Sequence, residues 1–145
     1  VITKESDSFR EGKASILREG KDLAIFACGQ MVYESILACD ELAKEGIKAR
    51  LVNLHTIKPI DRDAIISAAY ETGAIVTVEE HTVMGGFGSA IAEIAAQDRP
   101  VPIKMVGIRN RFGVSGEPDE LFEYFGLKPK NIVLAAREAL QMKKG

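Results

Sequence analysis

A chain of 145 residues, 46% hydrophobic and 28% charged, has the size and balance of one ordinary globular domain. Its 19 basic and 21 acidic residues leave a formal net charge of -2, which provides no basic footprint for nucleic acid or an anionic membrane. Cys28 and Cys39 fit neither a CxxC redox pair nor a zinc site, no apolar run approaches the roughly 20 residues of a membrane span, and no basic, apolar leader opens the chain, so a reducing, cytoplasmic location is expected.

Residues 1–13 are polar, with Lys4-Glu5-Ser6-Asp7-Ser8 offering no periodic apolar face. They read as a linker or lead-in from a missing upstream domain, and the start at Val1 rather than Met suits a processed or excised piece. The folded unit is expected over 14–145. Ala14 to Leu17 reads as a short strand, Glu19-Gly20 as a turn that pairs it in a hairpin with the next strand, and Asp22 to Cys28 as that buried strand. From Met31 to Glu45, Val32, Ile36, Cys39 and Ala43 recur at helical steps and Gly46 stops the helix. Ala49 to Asn53 is a strand. Asp61 caps a helix carrying Ile65, Ile66 and Ala69, closed by Gly73.

Ala74 to Val78 is the next strand, followed after His81 by a loop, a helix from about Gly88 to Gln97, and a last strand over Ile103 to Ile108. Two helices remain: Asp119 to Phe125, stopped by Gly126, and a final one capped by Asn131 and reaching about Met142. Strands alternating with helices predict βαβ units and a largely parallel sheet covered on both faces.

In such a sheet ligands gather at the carboxyl edge of the strands. Four features are placed there: Cys28-Gly29-Gln30, His55, Glu79-Glu80-His81 and Arg109. The turn Met84-Gly85-Gly86-Phe87-Gly88-Ser89 leads into a helix whose free N–H groups suit an anion. Its GGxGS spacing is not the dinucleotide fingerprint GxGxxG, and a role in positive φ and close helix packing is preferred to a phosphate cradle. The candidate anion or interface site therefore comprises Gly29, Gln30, Glu80, His81, Gly85, Gly86, Gly88, Ser89, Arg109 and Arg111.

Cys28 with His55 or His81 is a conceivable thiolate pair, but a small thiol ending a buried strand is more often inert core. Glu79 and Glu80, adjacent on a strand, point to opposite faces and make no simple acid–base pair, though one of them can orient His81. Neither histidine lies in a metal-binding spacing, so no metal site is expected. Lys104 reads as an ordinary surface charge, whereas Arg109-Asn110-Arg111-Phe112-Gly113 suggests an interface or docking loop.

The residues Gly12-Lys13-Ala14, Arg18-Glu19-Gly20, Lys58-Pro59-Ile60-Asp61, Val78-Glu79-Glu80-His81 and Gly85-Gly86-Phe87-Gly88-Ser89-Ala90 together resemble the C-terminal domain of transketolase-type thiamine diphosphate enzymes. Arg111 to Leu121 and Tyr124 to Leu127 look most like transketolases split into two polypeptides. The resemblance implies a Rossmann-like, three-layer α/β/α domain. Its sheet would be mixed and five-stranded, of order 1-3-2-4-5, with the first strand antiparallel and thus not in a hairpin with the second.

The resemblance further implies a parent that transfers two-carbon ketol units between sugar phosphates in the pentose phosphate pathway. That parent holds thiamine diphosphate and Mg between pyrimidine-binding and diphosphate-binding domains, and assembles as a dimer. None of those domains' catalytic or cofactor motifs is in this sequence, so no catalytic, cofactor or metal residue carries over and no turnover is expected from the chain alone. Two alternatives stay open: the same domain of deoxyxylulose-phosphate synthase or a 2-oxo acid dehydrogenase β subunit, and a free-standing regulatory module for an anionic metabolite.

Overall fold

Leu23–Ala27 is five apolar residues in a row, every one with no exposed surface, and a strand apolar on both sides belongs in the middle of a parallel sheet covered on two faces. A computed structural model, which describes residues 10–109 and 115–145, places it there. The strands are β1 (Ser15–Arg18), β2 (Leu23–Ala27), β3 (Ala49–Asn53), β4 (Ile75–Thr82) and β5 (Ile103–Ile108), in the order β1-β3-β2-β4-β5. β1 runs antiparallel to β3 and the remaining pairs are parallel.

The hairpin expected from Glu19-Gly20 does not form, because β1 pairs with β3 and not with β2. Gly20 is buried, and a Cβ on it would lie 2.4 Å from the Ala49 carbonyl carbon. Its role is close approach to the start of β3 rather than a tight turn between paired strands.

Helices α1 (Met31–Lys44) and α5 (Pro129–Lys144) cover one face, burying Ala38, Cys39, Leu42, Ile132, Ala136 and Ala139 with Leu23, Ile25, Leu51, Val76 and Val78. On the other face α2 (Arg62–Thr72) and α3 (Phe87–Asp98) bury Ile65, Ala69, Ile91 and Ile94 with Ala24, Phe26, Val52 and Ile75. Each large side chain fully withdrawn from water here, such as Phe26 or Ile25, contributes about 1.5–3 kcal/mol before the entropy cost of folding. The short α4 (Pro118–Phe125) buries no residue completely and leans Phe122 and Phe125 on the first layer.

Local chemistry sets the ends. Asp61 caps α2 by accepting from the Ala64 N–H at 3.1 Å, while its other carboxylate oxygen accepts from Ala14 N–H at 2.8 Å, so one side chain joins the start of the fold to a helix terminus. Gly73 and Gly126, at φ 71° and 70°, close α2 and α4 in the left-handed region. Asn131 does not cap α5 as expected: Pro129 fits the first helical position, Lys128 is the cap, and Asn131 Oδ1 reaches back to the Lys128 N–H at 3.1 Å. The buried stripe of α1 is also rotated from the expected one, with Ser35, Ala38, Cys39 and Leu42 inside and Ala43 exposed.

Candidate functional site

β4 continues four residues past Val78 and carries Glu79, Glu80, His81 and Thr82 to the carboxyl edge. Alternation along the strand turns Thr77 and Glu79 toward α3, where both are fully buried. Glu80 is half-buried and His81 exposed, so the two adjacent glutamates do diverge as expected.

The glycine turn after β4 closes on Glu79. Its two carboxylate oxygens accept from the Phe87 N–H at 3.2 Å and the Gly88 N–H at 2.8 Å, the first free donors of α3. Gly86 and Gly88 are glycines because the carboxylate and Thr77 leave no space: a Cβ on Gly86 would lie 1.9 Å from Glu79 Oε1, and one on Gly88 would lie 2.5 Å from Thr77 Oγ1. Gly85 supplies the one positive φ of the turn, 75°. Ser89 ties the loop from the helix side, its hydroxyl donating to the Val83 carbonyl at 2.7 Å and accepting from the Gly85 N–H at 3.2 Å.

The amides of the turn that the sequence offers to an anion are thus engaged by the chain's own carboxylate. Burial raises the Glu79 carboxyl above the usual glutamate range, against the lowering pull of the Gly88 and Phe87 amides and of His81. On the neighbouring turn, Gly29 has φ 58° and stands within 3.3 Å, measured from an added Cβ, of Glu80 Oε1. Gln30 is exposed and begins α1 without a side-chain cap bond.

Cys28 lies beside these acids. Burial, and then Glu79 and Glu80, push its thiol up to about 11, the reverse of the electropositive setting that makes a thiolate nucleophile. His55 is half-buried, with Nδ1 3.0 Å from Thr56 Oγ1. Arg109 is exposed at the end of β5 and donates to the Met105 carbonyl at 2.8 Å, covering part of an outer strand. Lys104 pairs with Glu138 at 3.4 Å. Arg111 lies outside the described residues.

Two features escape the sequence reading. One is Glu79 as an internal cap, signalled by the first of two glutamates directly after the apolar run of a buried strand, in line with the inward face of that run and eight residues before a helix that opens between glycines. The other is a shallow depression lined by Ile57, Lys58, His81, Met84, Phe87 and Glu93, on whose rim Ile57 and Met84 are 47% and 78% exposed. Among the described residues, no group of three or more His, Cys, Asp or Glu is placed to hold a metal, and no helix is long and apolar enough to cross a membrane.

The family model described as "Transketolase, C-terminal domain" matches residues 12–132. The chain belongs to the transketolase C-terminal domain family. It is 50% identical over 142 residues to the 6-deoxy-6-sulfo-D-fructose transketolase subunit SqwH of Clostridium sp. (strain MSTE9), covering 98% of this chain and 44% of that protein. It is 42% identical over 139 residues to the 1-deoxy-D-xylulose-5-phosphate synthase of Heliobacterium modesticaldum, covering 95% of this chain and 22% of that enzyme.

Among solved structures, a split gene transketolase in the form of an inactive β4 tetramer superposes with a TM-score of 0.95 at 40% identity, over 99% of this chain and 47% of that one. The chain therefore spans less than half the length of these relatives, and its sheet order 1-3-2-4-5 is that of the transketolase C-terminal domain.

Proposed function

We propose that this chain is the C-terminal assembly element of a cytoplasmic transketolase, an enzyme that transfers two-carbon ketol units between sugar phosphates, and that it performs no chemistry alone. On this reading residues 1–13 lead in from an upstream domain and 14–145 dock against the pyrimidine-binding and diphosphate-binding domains or subunit of a dimeric parent.

The observation that carries the reading is the filled glycine turn. With the Phe87 and Gly88 donors engaged by Glu79, the carboxyl edge offers a rim carrying exposed Ile57 and Met84 in place of an anion cradle, and large exposed apolar side chains beside a depression suit a protein surface. This disfavours the free-standing anion-binding module.

Thiamine diphosphate and Mg belong to the parent in this proposal. The residues here do not fit the cofactor: a diphosphate at the glycine turn would meet Glu79 on its donors, and at the Gly29 turn it would meet Glu80. Calorimetric titration of the chain with thiamine diphosphate and Mg tests this. No saturable binding is expected, and saturable, magnesium-dependent binding would contradict it.

A second parent, deoxyxylulose-phosphate synthase, is favoured by the likeness to the Heliobacterium enzyme. Combining the chain with an upstream transketolase region and analysing products separates the two, as ketol transfer or as formation of 1-deoxy-D-xylulose 5-phosphate. The same assay with a sugar phosphate and with 6-deoxy-6-sulfo-D-fructose as donors addresses the pentose phosphate role, since the Clostridium relative is named for the sulfonated sugar.

A further inference from the structure

Glu79 is a charged group with no exposed surface, lying between a sheet and a helix end, and it is the partner of two amides from the far side of a loop. Burying a carboxylate is costly unless its hydrogen bonds are made, so loop and carboxylate hold each other. The contacts are tight on three sides: Gly86 and Gly88 have no room for a side chain against Glu79, and a Cβ on Gly107 of β5 would lie 3.3 Å from Glu79 Cγ. Between the carboxylate and its two amides runs Thr82 to Gly86, the segment that carries Met84 to the rim of the depression.

We propose that Glu79 is a latch: its grip on the Phe87 and Gly88 amides fixes the Thr82–Gly86 loop and so shapes the surface on which the domain upstream of this chain docks. The surface role rests on the assembly reading above. The occupant follows from the course of the chain. A Cβ on Gly12 would touch Pro59 at 3.0 Å and Ala14 is tied to Asp61, so the entering segment runs beside the loop that supplies Ile57 and Lys58 to the depression. A domain preceding Arg10 is thereby delivered to that flank.

Two variants separate the latch from general stability. Glu79→Gln keeps the shape but offers one acceptor oxygen where the carboxylate offers two. Gly86→Ala keeps the charge and a backbone φ of -81° that alanine adopts freely, and it opens the same contact from the loop side, since its Cβ would displace the carboxylate and also press on the Thr82 carbonyl at 2.6 Å. Glu79→Gln is the variant that isolates the carboxylate. Amide hydrogen exchange is read on the chain and its variants. Binding is read against the portion of the Clostridium subunit that lies outside the match.

In both variants the amides of Phe87 and Gly88 are expected to exchange at least ~10-fold faster and the upstream portion to bind at least ~10-fold more weakly, while the Leu23–Ala27 amides keep their protection. Unchanged exchange at Phe87 and Gly88 would overturn the latch, and so would loss of protection throughout β2, which marks global unfolding. Faster exchange with unchanged binding would overturn the surface role. If the wild-type chain does not bind the upstream portion, the assembly reading itself fails, and the exchange data still decide the latch.

Discussion

Glu79 and Gly88 are nine positions apart and meet at 2.8 Å, carboxylate to backbone amide, inside the layer between β4 and α3. A turn whose glycines read first as tight packing, and only second as an anion cradle, is closed from within by an anion of its own.

The pH dependence of stability should carry the signature of that burial. Glu79 binds its proton more tightly when folded, its carboxyl lying above 4.5 because burial outweighs the Gly88 and Phe87 amides and His81. Such a group adds stability below 4.5 and loses it as pH rises through the raised folded value. The charged or titratable neighbours are Cys28 beside β2, Glu80 and His81 on β4, and Lys58 and Glu93 around the depression. Urea unfolding of the wild type and Glu79→Gln should therefore show the wild type gaining relative stability as pH falls from neutral toward 4.5. Parallel profiles would show that Glu79 does not titrate with folding.

Two glycines in connections, exposed Gly46 between α1 and β3 and buried Gly20 between β1 and β2, should respond differently to alanine. At Gly46 an added Cβ meets nothing within 4 Å, so only the φ of 78° is strained and the loss should be about 1 kcal/mol. At Gly20 the Cβ meets backbone of Ala49 at 2.4 Å, which cannot rotate away, and the loss should exceed about 2 kcal/mol. Denaturant midpoints at constant m-value measure both.

Asp61→Ala removes the α2 cap and the acceptor for Ala14 N–H together. The expected cost is about 2 kcal/mol, read by thermal unfolding, with faster amide exchange at both Ala14 and Ala64. A cost confined to Ala64 would show that the Ala14 bond contributes nothing.

The thiols should be unreactive. With Cys28 and Cys39 both pushed up to about 11 by burial, the reactive thiolate form is disfavoured at neutral pH. Labelling by iodoacetamide should be far slower in the folded chain than in denaturant, and equal rates would contradict this environment.

Much of the fold was legible because local signals suffice for it. β3 and β5 fall where their apolar runs lie, and α2 stands between Asp61 and Gly73 as cap and stop require. Pairing is not local: Glu19-Gly20 looks like a hairpin turn, yet β1 crosses to β3, and only the family resemblance carried the correct order. The candidate residues do lie at the carboxyl edge: Gly29 in the turn after β2, Glu80 and His81 at the end of β4, Gly85 and Gly86 in the turn that follows it, and Gly88 and Ser89 in the first turn of α3. The role of Glu79 was hidden, since a charged residue reads as exposed until the helix end that satisfies it is in place.

Sedimentation velocity of the chain mixed with an upstream transketolase region tests the assembly role most directly. A complex is expected with the wild type and should be lost with Ile57→Asp or Met84→Asp, both exposed positions whose change leaves the core untouched. Sedimentation of the wild type as a separate species, or complexes undiminished by both substitutions, would contradict docking through this face.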